Sequence, residues 1–376
     1  MKKILFLTGT RADFGKIKSL IEIASSEPDL FDVYLFVTGM HMHHKYGYTL
    51  NEIKNCGYKN IYSYINFTSE NSMDLTLAKT IEGLSNYIKE FPPDLIIVHG
   101  DRAEALAGAI VGALNNILVA HIEGGEVSGT IDELIRHSVS KMSHVHFVAN
   151  DQAKKRLMQM GEISQSVFTI GSPDVDIMFS NTLPKLQYVK DYYNIRFDKY
   201  AVVMFHPVTT EVEKMEEYAI QFADALLETG HNYVVIFPNN DLGSQSILKA
   251  YEKFSGNPRF QIYPSLRFEY FLVLLKNSTY IIGNSSAGIR EAPYYNLPSV
   301  NIGTRQQNRA ISEDILHCGY DKHEIVAAVR RIKTELRSSV DASHYGNGNS
   351  NRQFLDIISQ PSFWEIPKQK VFADLD

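Results

Sequence analysis

A chain of 376 residues is long for one hydrophobic core, so two domains are expected. Its 37 Lys and Arg against 43 Asp and Glu leave a net charge of −6 with no long basic run, which argues against a nucleic-acid surface while leaving room for a local cationic pocket for an anion. Cys56 and Cys318 form neither a disulfide framework nor a metal-ligand spacing, and fit a reducing compartment.

The chain opens on Met1-Lys2-Lys3 and an apolar run that stops at Leu7, too short for the core of a signal peptide. No stretch reaches the length of a membrane span, so a cytoplasmic protein without membrane partners is expected. Lys3–Leu7 reads as a strand, and Thr8–Lys16 turns into a helix through about Ser25. An ATP-type phosphate loop needs four residues between its glycines and Ser or Thr after the Lys. Here five separate Gly9 from Gly15, and Ile17 follows Lys16. The first strand also lacks a Gly-x-Gly-x-x-Gly continuation, so no nicotinamide cofactor is expected. What remains is a loop that sets Arg11 at the carboxyl edge of the sheet, where it can meet an anionic ligand.

Asp32–Val37 is the second strand, followed by Thr38-Gly39-Met40-His41-Met42-His43-His44. Three clustered histidines invite a metal, but no carboxylate or cysteine accompanies them at ligand spacing. No metal is expected, and the histidines are read as lining a cleft or its entrance. Asn71–Glu90 is an amphipathic helix ending before Pro92-Pro93.

The stretch from Asp94 to Arg136 organises the chain. Leu95–Val98 and Ile117–Ala120 are short apolar runs with β-branched residues, as in buried parallel strands, and Ala103–Leu114 is the crossover helix between them. Ligands of open α/β sheets bind beyond the carboxyl ends of the strands, where His99-Gly100-Asp101-Arg102 and His121-Ile122-Glu123-Gly124-Gly125-Glu126 fall. One carboxylate in such a loop can simply cap the next helix. Asp101 and Glu123 together, each preceded by a histidine, favour a reaction centre. Thr130-x-x-Glu133 has the form of a capping box, which makes Glu133 structural. Asp132 then lies in the first helical turn, where the dipole favours its ionised form and suits a base.

His146–Val148 is a strand, Asp151–Met160 a helix stopped by Gly161, and Val167–Ile170 a strand before Gly171-Ser172-Pro173-Asp174 closes the repeat. This alternation predicts a doubly wound domain over residues 1–173. Residues 174–199 read as the crossing into a second domain, 174–359. There Tyr200–Phe205 is a strand ending at His206, a helix runs to Thr229, and Tyr233–Phe237 is the next strand. Phe268–Lys276 is helical and Thr279–Ile282 a strand, followed by Gly283-Asn284-Ser285-Ser286-Ala287-Gly288-Ile289-Arg290-Glu291. Small residues between strand and helix let backbone N–H groups approach phosphate oxygens, with a helix N-terminus adding positive potential. Glu291 is placed to accept hydrogen bonds from ribose hydroxyls. Ser299–Ile302 is a strand leading to Gly303-Thr304-Arg305-Gln306, and the tail 360–376, with the lone Trp364, is expected to pack back on the first domain. The fold class is α/β, with two doubly wound, Rossmann-like domains facing a cleft. One supplies carboxylates and the other a phosphate cradle with His206 and Arg305, a combination that suits a nucleotide-sugar.

At these residues the chain resembles the hydrolysing UDP-N-acetylglucosamine 2-epimerases of bacterial sialic-acid biosynthesis. The motifs are Gly-Thr-Arg-Ala-Asp-Phe-Gly at 9–15, Val-Thr-Gly-Met-His at 37–41, His-Gly-Asp-Arg at 99–102 and His-Ile-Glu-Gly-Gly-Glu at 121–126. They continue as Met-Phe-His-Pro-Val-Thr at 204–209 and Gly-Asn-Ser-Ser-Ala-Gly-Ile-Arg-Glu-Ala-Pro at 283–293. The resemblance implies the GT-B fold, a homo-oligomer (dimer or tetramer), and release of UDP and N-acetylmannosamine from UDP-N-acetylglucosamine with water and no cofactor, as a step towards capsule polysaccharide. By the same resemblance Asp101, Glu123 and Asp132 match the acid/base carboxylates, and Arg11, His206, Ser285, Ser286, Glu291 and Arg305 match positions that grip UDP. A sister group acts on UDP-N,N′-diacetylbacillosamine with similar loops, and non-hydrolysing relatives return UDP-N-acetylmannosamine. A GT-B glycosyltransferase would share the cradle but usually needs one base, and a nucleotide-sugar sensor would not need the acidic cluster.

Overall fold

The computed structural model describes residues 1–67, 72–306, 315–332 and 342–374. Contiguous apolar runs form its central strands, because a parallel strand covered on both faces must be apolar throughout rather than alternating. Leu95–His99 and Leu118–Ile122 are buried along their whole length. The chain forms two compact units.

The first unit comprises Met1–Glu126, Asp132–Asn181 and Ser343–Asp376. Among the described residues its strands are β1 (Lys2–Thr8), β2 (Phe31–Val37), β3 (Asn60–Ser63), β4 (Leu95–His99), β5 (Leu118–Ile122), β6 (Val145–Val148) and β7 (Val167–Thr169). They lie in the order β3-β2-β1-β4-β5-β6-β7, and every pairing is parallel. The second unit comprises Val127–Ile131 and Thr182–Ala342. It holds β8 (Ala201–Met204), β9 (Tyr233–Ile236), β10 (Phe260–Tyr263), β11 (Ile281–Gly283), β12 (Ser299–Ile302) and β13 (Ile315–Cys318), ordered β10-β9-β8-β11-β12-β13 and again parallel. Both are doubly wound, and each reverses strand order beside its own first strand, between β1 and β4 and between β8 and β11. Among the described residues no helix is long and apolar enough to cross a membrane.

Most expected elements recur within a residue or two. The helix expected over Asn71–Glu90 runs from Met73 to Glu90, Asn71 itself lying outside the described residues. The strands that the pattern does not reveal are β3, β10 and β13, all at sheet edges. An edge strand has a neighbour on one side only and needs less apolar surface, so Asn60–Ser63 carries no hydrophobic run.

The first unit continues to Asn181 and resumes at Ser343, whereas the sequence pattern puts its boundaries at 173 and 360. The returning helix Ser350–Ile358 is integral to its core. Phe354 and Ile358 are fully buried, and the Phe354 ring lies 5.1 Å from that of Phe147 on β6. Asp176 caps this helix, accepting from the Ser350 and Asn351 N–H groups at 2.8 Å. Farther on, Lys370 Nζ donates to the carbonyls of Ser140, Lys141 and Ser143 at the end of the helix Ile131–Met142, where carbonyls lack intrahelical partners.

The three histidines do not act as one lining. His41 is fully buried, with Nε2 3.0 Å from Thr8 Oγ1 and Nδ1 2.6 Å from Thr49 Oγ1. His43 packs edge-on to Tyr46 and against Phe67, and the exposed His44 stacks on Tyr48. Small polar neighbours thus turn His41 inward as a brace between the ends of β1 and β2. Among the described residues no group of three or more His, Cys, Asp or Glu side chains is arranged to hold a metal ion.

Two outcomes follow from this packing. Phe354→Ala should cost about 3–5 kcal/mol of stability by urea denaturation, because the cavity would open inside the first unit's core. Burial lowers the pKa of His41 to about 4 from 6.5, so the native state keeps it neutral. The unfolded chain takes up that proton below its ordinary pKa, and the native chain does so only near pH 4. Stability from His41 is therefore full above pH 6.5 and is lost as pH falls to about 4, by up to about 3 kcal/mol. His41→Gln should flatten that part of the stability-against-pH curve, and an unchanged slope would contradict the assignment.

Candidate active site

In the first unit the site grows out of two adjacent strand ends. Gly100, after β4, has φ +72, and the chain turns there to place Asp101. Glu123, after β5, has φ +65, a left-handed conformation that costs a residue with a Cβ and is held only where the surroundings enforce it. Those surroundings are visible. The Glu123 N–H donates to Phe147 O at 3.1 Å, and its carbonyl accepts from the Arg136 guanidinium at 2.8 Å. Arg136 is buried, and its other nitrogen pairs with the Asp101 carboxylate. One guanidinium thus holds both loops.

The Glu123 side chain is also buried. Its Oε1 accepts from Ser172 Oγ at 2.9 Å and lies 3.8 Å from Lys16 Nζ, while its Oε2 lies 3.5 Å from His99 Nε2. Lys16 is also 3.5 Å from Asp174 Oδ2. The two histidines of the motifs differ in role. His99 faces the Glu123 carboxylate. His121 points under the loop, its Nε2–H donating to Gly100 O at 2.8 Å and its Nδ1 accepting from Ser140 Oγ at 3.0 Å. Burial pushes His121 well below its ordinary pKa, so it serves as a neutral brace.

Asp132 lies half-buried in the first turn of the helix Ile131–Met142, one turn before Arg136 and on the same face. Glu133 pairs with the His137 ring at 3.6 Å along that helix. Arg11 opens the helix Arg11–Ser25 at the sheet edge, as its motif implies, and pairs with Glu52. Asp13, in the same motif, is occupied locally: it accepts from Gly9 N, Thr10 N and Thr8 Oγ1 and completes a capping box with Thr10.

The second unit builds its site around Asn284. Its fully buried amide accepts from the His206 N–H at 2.6 Å and donates to the His206 carbonyl at 2.8 Å, stapling the end of β11 to that of β8 at the switch point. Gly283 makes the approach possible, since a Cβ there would lie 2.0 Å from Met204 O. His206 Nδ1 accepts from the Asn239 N–H at 3.0 Å, so the neutral ring carries its proton on Nε2. The Asn284 carbonyl receives Arg305 at 3.3 Å and Gln306 at 2.9 Å. His206, Asn284, Arg305 and the Ser285-Ser286 turn therefore gather at one point, and His206, Ser285, Ser286 and Arg305 stay half-buried.

One expectation is corrected here. The segment after Ser285 is not a helix whose dipole can serve an anion. It is a single 3-10 turn, Ser286–Gly288, capped by Ser285 Oγ from the Ala287 N–H at 3.3 Å, and then the four-residue helix Glu291–Tyr294. Any anion would rely on N–H and hydroxyl donors with Arg305 rather than a macrodipole. Glu291 is buried.

Sequence reasoning assigned no role to Lys16, His99, Arg136, Ser172 or Asp174. Lys16 entered only as part of a failed phosphate loop, and Arg136 only as the end of the organising stretch. Ser172 and Asp174 follow β7 closely, so the strand-end rule that singled out Asp101 would have found them too.

The profile of the UDP-N-acetylglucosamine 2-epimerase family matches residues 24–359. A UDP-N-acetylglucosamine 2-epimerase of Neisseria meningitidis serogroup B is 47% identical over 100% of both chains. A UDP-N,N′-diacetylbacillosamine 2-epimerase (hydrolyzing) of Legionella pneumophila is 33% identical over 95% of this chain and 96% of its own. In fold, the chain matches a Methanocaldococcus jannaschii UDP-GlcNAc 2-epimerase crystallised with UDP-GlcNAc and UDP, with a TM-score of 0.78 at 20% identity, over 95% of this chain and 99% of that one. With two doubly wound units and a profile that spans most of its length, the chain belongs to the UDP-N-acetylglucosamine 2-epimerase family.

Proposed function

We propose that this protein is a hydrolysing UDP-N-acetylglucosamine 2-epimerase that converts UDP-N-acetylglucosamine and water to UDP and N-acetylmannosamine in the cytoplasm. The observation that carries the reading is Glu123. It is a buried carboxylate held in a strained backbone conformation, with Lys16, His99 and Ser172 around its oxygens and Asp101 tied to the same Arg136. Strain and buried charge at one residue are costs that a purely structural position avoids. The 47% identical relative supports N-acetylglucosamine as the sugar. The 33% identical Legionella relative supports the hydrolytic mode, and its substrate, UDP-N,N′-diacetylbacillosamine, is the second reading.

The chemistry explains the residue types. C2–H of an N-acetylhexosamine has no adjacent carbonyl, so direct proton abstraction is hard. Breaking the C1–O bond to UDP first makes C1 oxocarbenium-like and acidifies C2–H. A carboxylate then removes that proton to give 2-acetamidoglucal. Charge building on the leaving diphosphate is met by cationic and N–H donors, here His206, Arg305, Ser285 and Ser286 with Arg11. Glu291 is assigned to the ribose hydroxyls. Water then adds across the double bond, its hydroxyl to C1 and a proton to the opposite face of C2. Each acid/base group is typically worth ~10²–10⁴-fold, and the assignment falls on Asp101, Glu123 and Asp132 jointly. Arg136 holds the Asp101 carboxylate in place, and the Ser172 hydroxyl orients that of Glu123.

Glu123→Gln and Asp101→Asn should each lower kcat by about 10²-fold or more while UDP affinity, measured by calorimetry, changes little. His206→Ala should weaken UDP binding by about tenfold, the loss of one hydrogen bond to a charged group. Loss of UDP affinity in Glu123→Gln but not in His206→Ala would reverse the division of labour.

Isotopes test the reaction itself. Incubated in D₂O with UDP-N-acetylglucosamine alone, the protein should release N-acetylmannosamine carrying deuterium at C2. In H₂¹⁸O the label should enter C1 of the sugar and be absent from UDP. UDP-N-acetylmannosamine as the product would mean a non-hydrolysing enzyme, and label in UDP would mean that water attacks phosphorus. Turnover of UDP-N,N′-diacetylbacillosamine with none of UDP-N-acetylglucosamine would favour the second reading.

A further inference from the structure

We propose that Asp174 is a positioning residue that acts through Lys16 to set how tightly Glu123 holds its proton. The proposal rests on the reading of Glu123 as an acid/base group. Asp174 lies in the turn after β7 and in the first turn of the short helix Pro173–Met178, and its side chain is 2% exposed. The Lys16 ammonium, 11% exposed, stands 3.5 Å from Asp174 Oδ2 and 3.8 Å from Glu123 Oε1. Two buried carboxylates therefore share one buried ammonium.

The turn that carries Asp174 also carries Ser172, whose hydroxyl donates to Glu123 Oε1 at 2.9 Å. A hydroxyl donor and a nearby cation favour the ionised carboxylate, whereas a second carboxylate drawing on that cation disfavours it. One turn thus delivers two influences of opposite sign to one carboxyl group. Other charged or titratable groups beside Glu123 include His99 at the end of β4, 3.5 Å from Oε2, and Arg136 from the helix Ile131–Met142, which bonds the Glu123 carbonyl and pairs with Asp101. With Lys16 and Ser172 alone, Glu123 would be a weak base. A group that accepts a proton and gives one back works best when its ionisation lies near the working pH, and the share of Lys16 that Asp174 takes moves Glu123 in that direction. A coupled pair of this kind titrates jointly, so changing one partner must move the other.

The test reads Glu123 directly. The full chain is labelled with glutamate carrying ¹³C at the side-chain carboxyl, and the Glu123 resonance is identified by its absence in Glu123→Gln. In Asp174→Asn the midpoint of its titration should fall by about one pH unit or more. In Ser172→Ala it should rise. Asp174→Glu, which keeps the charge, should stay closer to the original protein than Asp174→Asn does. If Asp174→Asn does not fold, Asp174→Leu, which removes the carboxylate with a side chain of similar size, is read in the same way. The corresponding limb of the kcat/KM profile against pH should move with the resonance. A Glu123 midpoint that does not move in Asp174→Asn, or moves in the same direction in Asp174→Asn and Ser172→Ala, would overturn the proposal. If the midpoints move as expected while no variant, nor the original chain, turns over a UDP-sugar, the coupling stands and the proposed function falls.

Discussion

The Arg136 guanidinium is the constraint on which the first unit's site depends. It reaches two strand ends at once, the Asp101 carboxylate after β4 and the Glu123 carbonyl after β5. A buried cation with one partner removed is costly, typically about 3–5 kcal/mol, so the two loops cannot move independently. That restraint lets Glu123 persist at φ +65, where the backbone alone would place a glycine. Asp132 shares the helix, one turn away, so the three assigned carboxylates hang on a single rigid element and the strand ends it clamps. Lys370 secures the far end of the same helix by bonding its last carbonyls, which ties the C-terminal tail to the geometry at its start.

The second unit solves the same problem with a neutral group. Where Arg136 uses charge, Asn284 uses both ends of one amide to hold the His206 backbone, and its own carbonyl gathers Arg305 and Gln306. The difference suits the two proposed tasks. A site that moves protons needs carboxylates whose charge is balanced locally. A site that binds a diphosphate needs a cation beside its N–H donors, and the half-buried Arg305 is brought there by its bond to the Asn284 carbonyl.

The fold was largely legible because its interior strands are continuous apolar runs separated by helices, a pattern that admits few arrangements. Leu95–Val98 and Ile117–Ala120 were readable for that reason, and Asn60–Ser63 was not, because an edge strand need not be apolar. The site was legible where strand-end residues sit in distinctive motifs, as Asp101 and Glu123 do. It was not legible where a residue matters through a partner far along the chain. Lys16 and Asp174 are 3.5 Å apart in space and on different elements, and no local pattern announces such a pair. The inward turn of His41 was equally hidden, since it depends on Thr49, which a cluster of neighbouring histidines gives no reason to consult.

The charge arrangement also explains why so many polar groups are buried beside β4 and β5. A lone buried carboxylate would neutralise itself by taking up a proton, and a carboxylate fully matched by one cation would hold its negative charge too firmly to accept one. Asp101 is paired with Arg136, and its side chain is 22% exposed. Glu123 stands beside the Lys16 ammonium that Asp174 shares, accepts from the neutral Ser172 hydroxyl, and has His99 at 3.5 Å from its other oxygen. Two carboxylates on neighbouring strands thereby have different charge surroundings, one paired with a guanidinium and the other beside an ammonium that a second carboxylate shares. The proposed elimination and hydration call for groups in different surroundings, because the group that takes the C2 proton and the group that returns one must not be in the same state at the same moment.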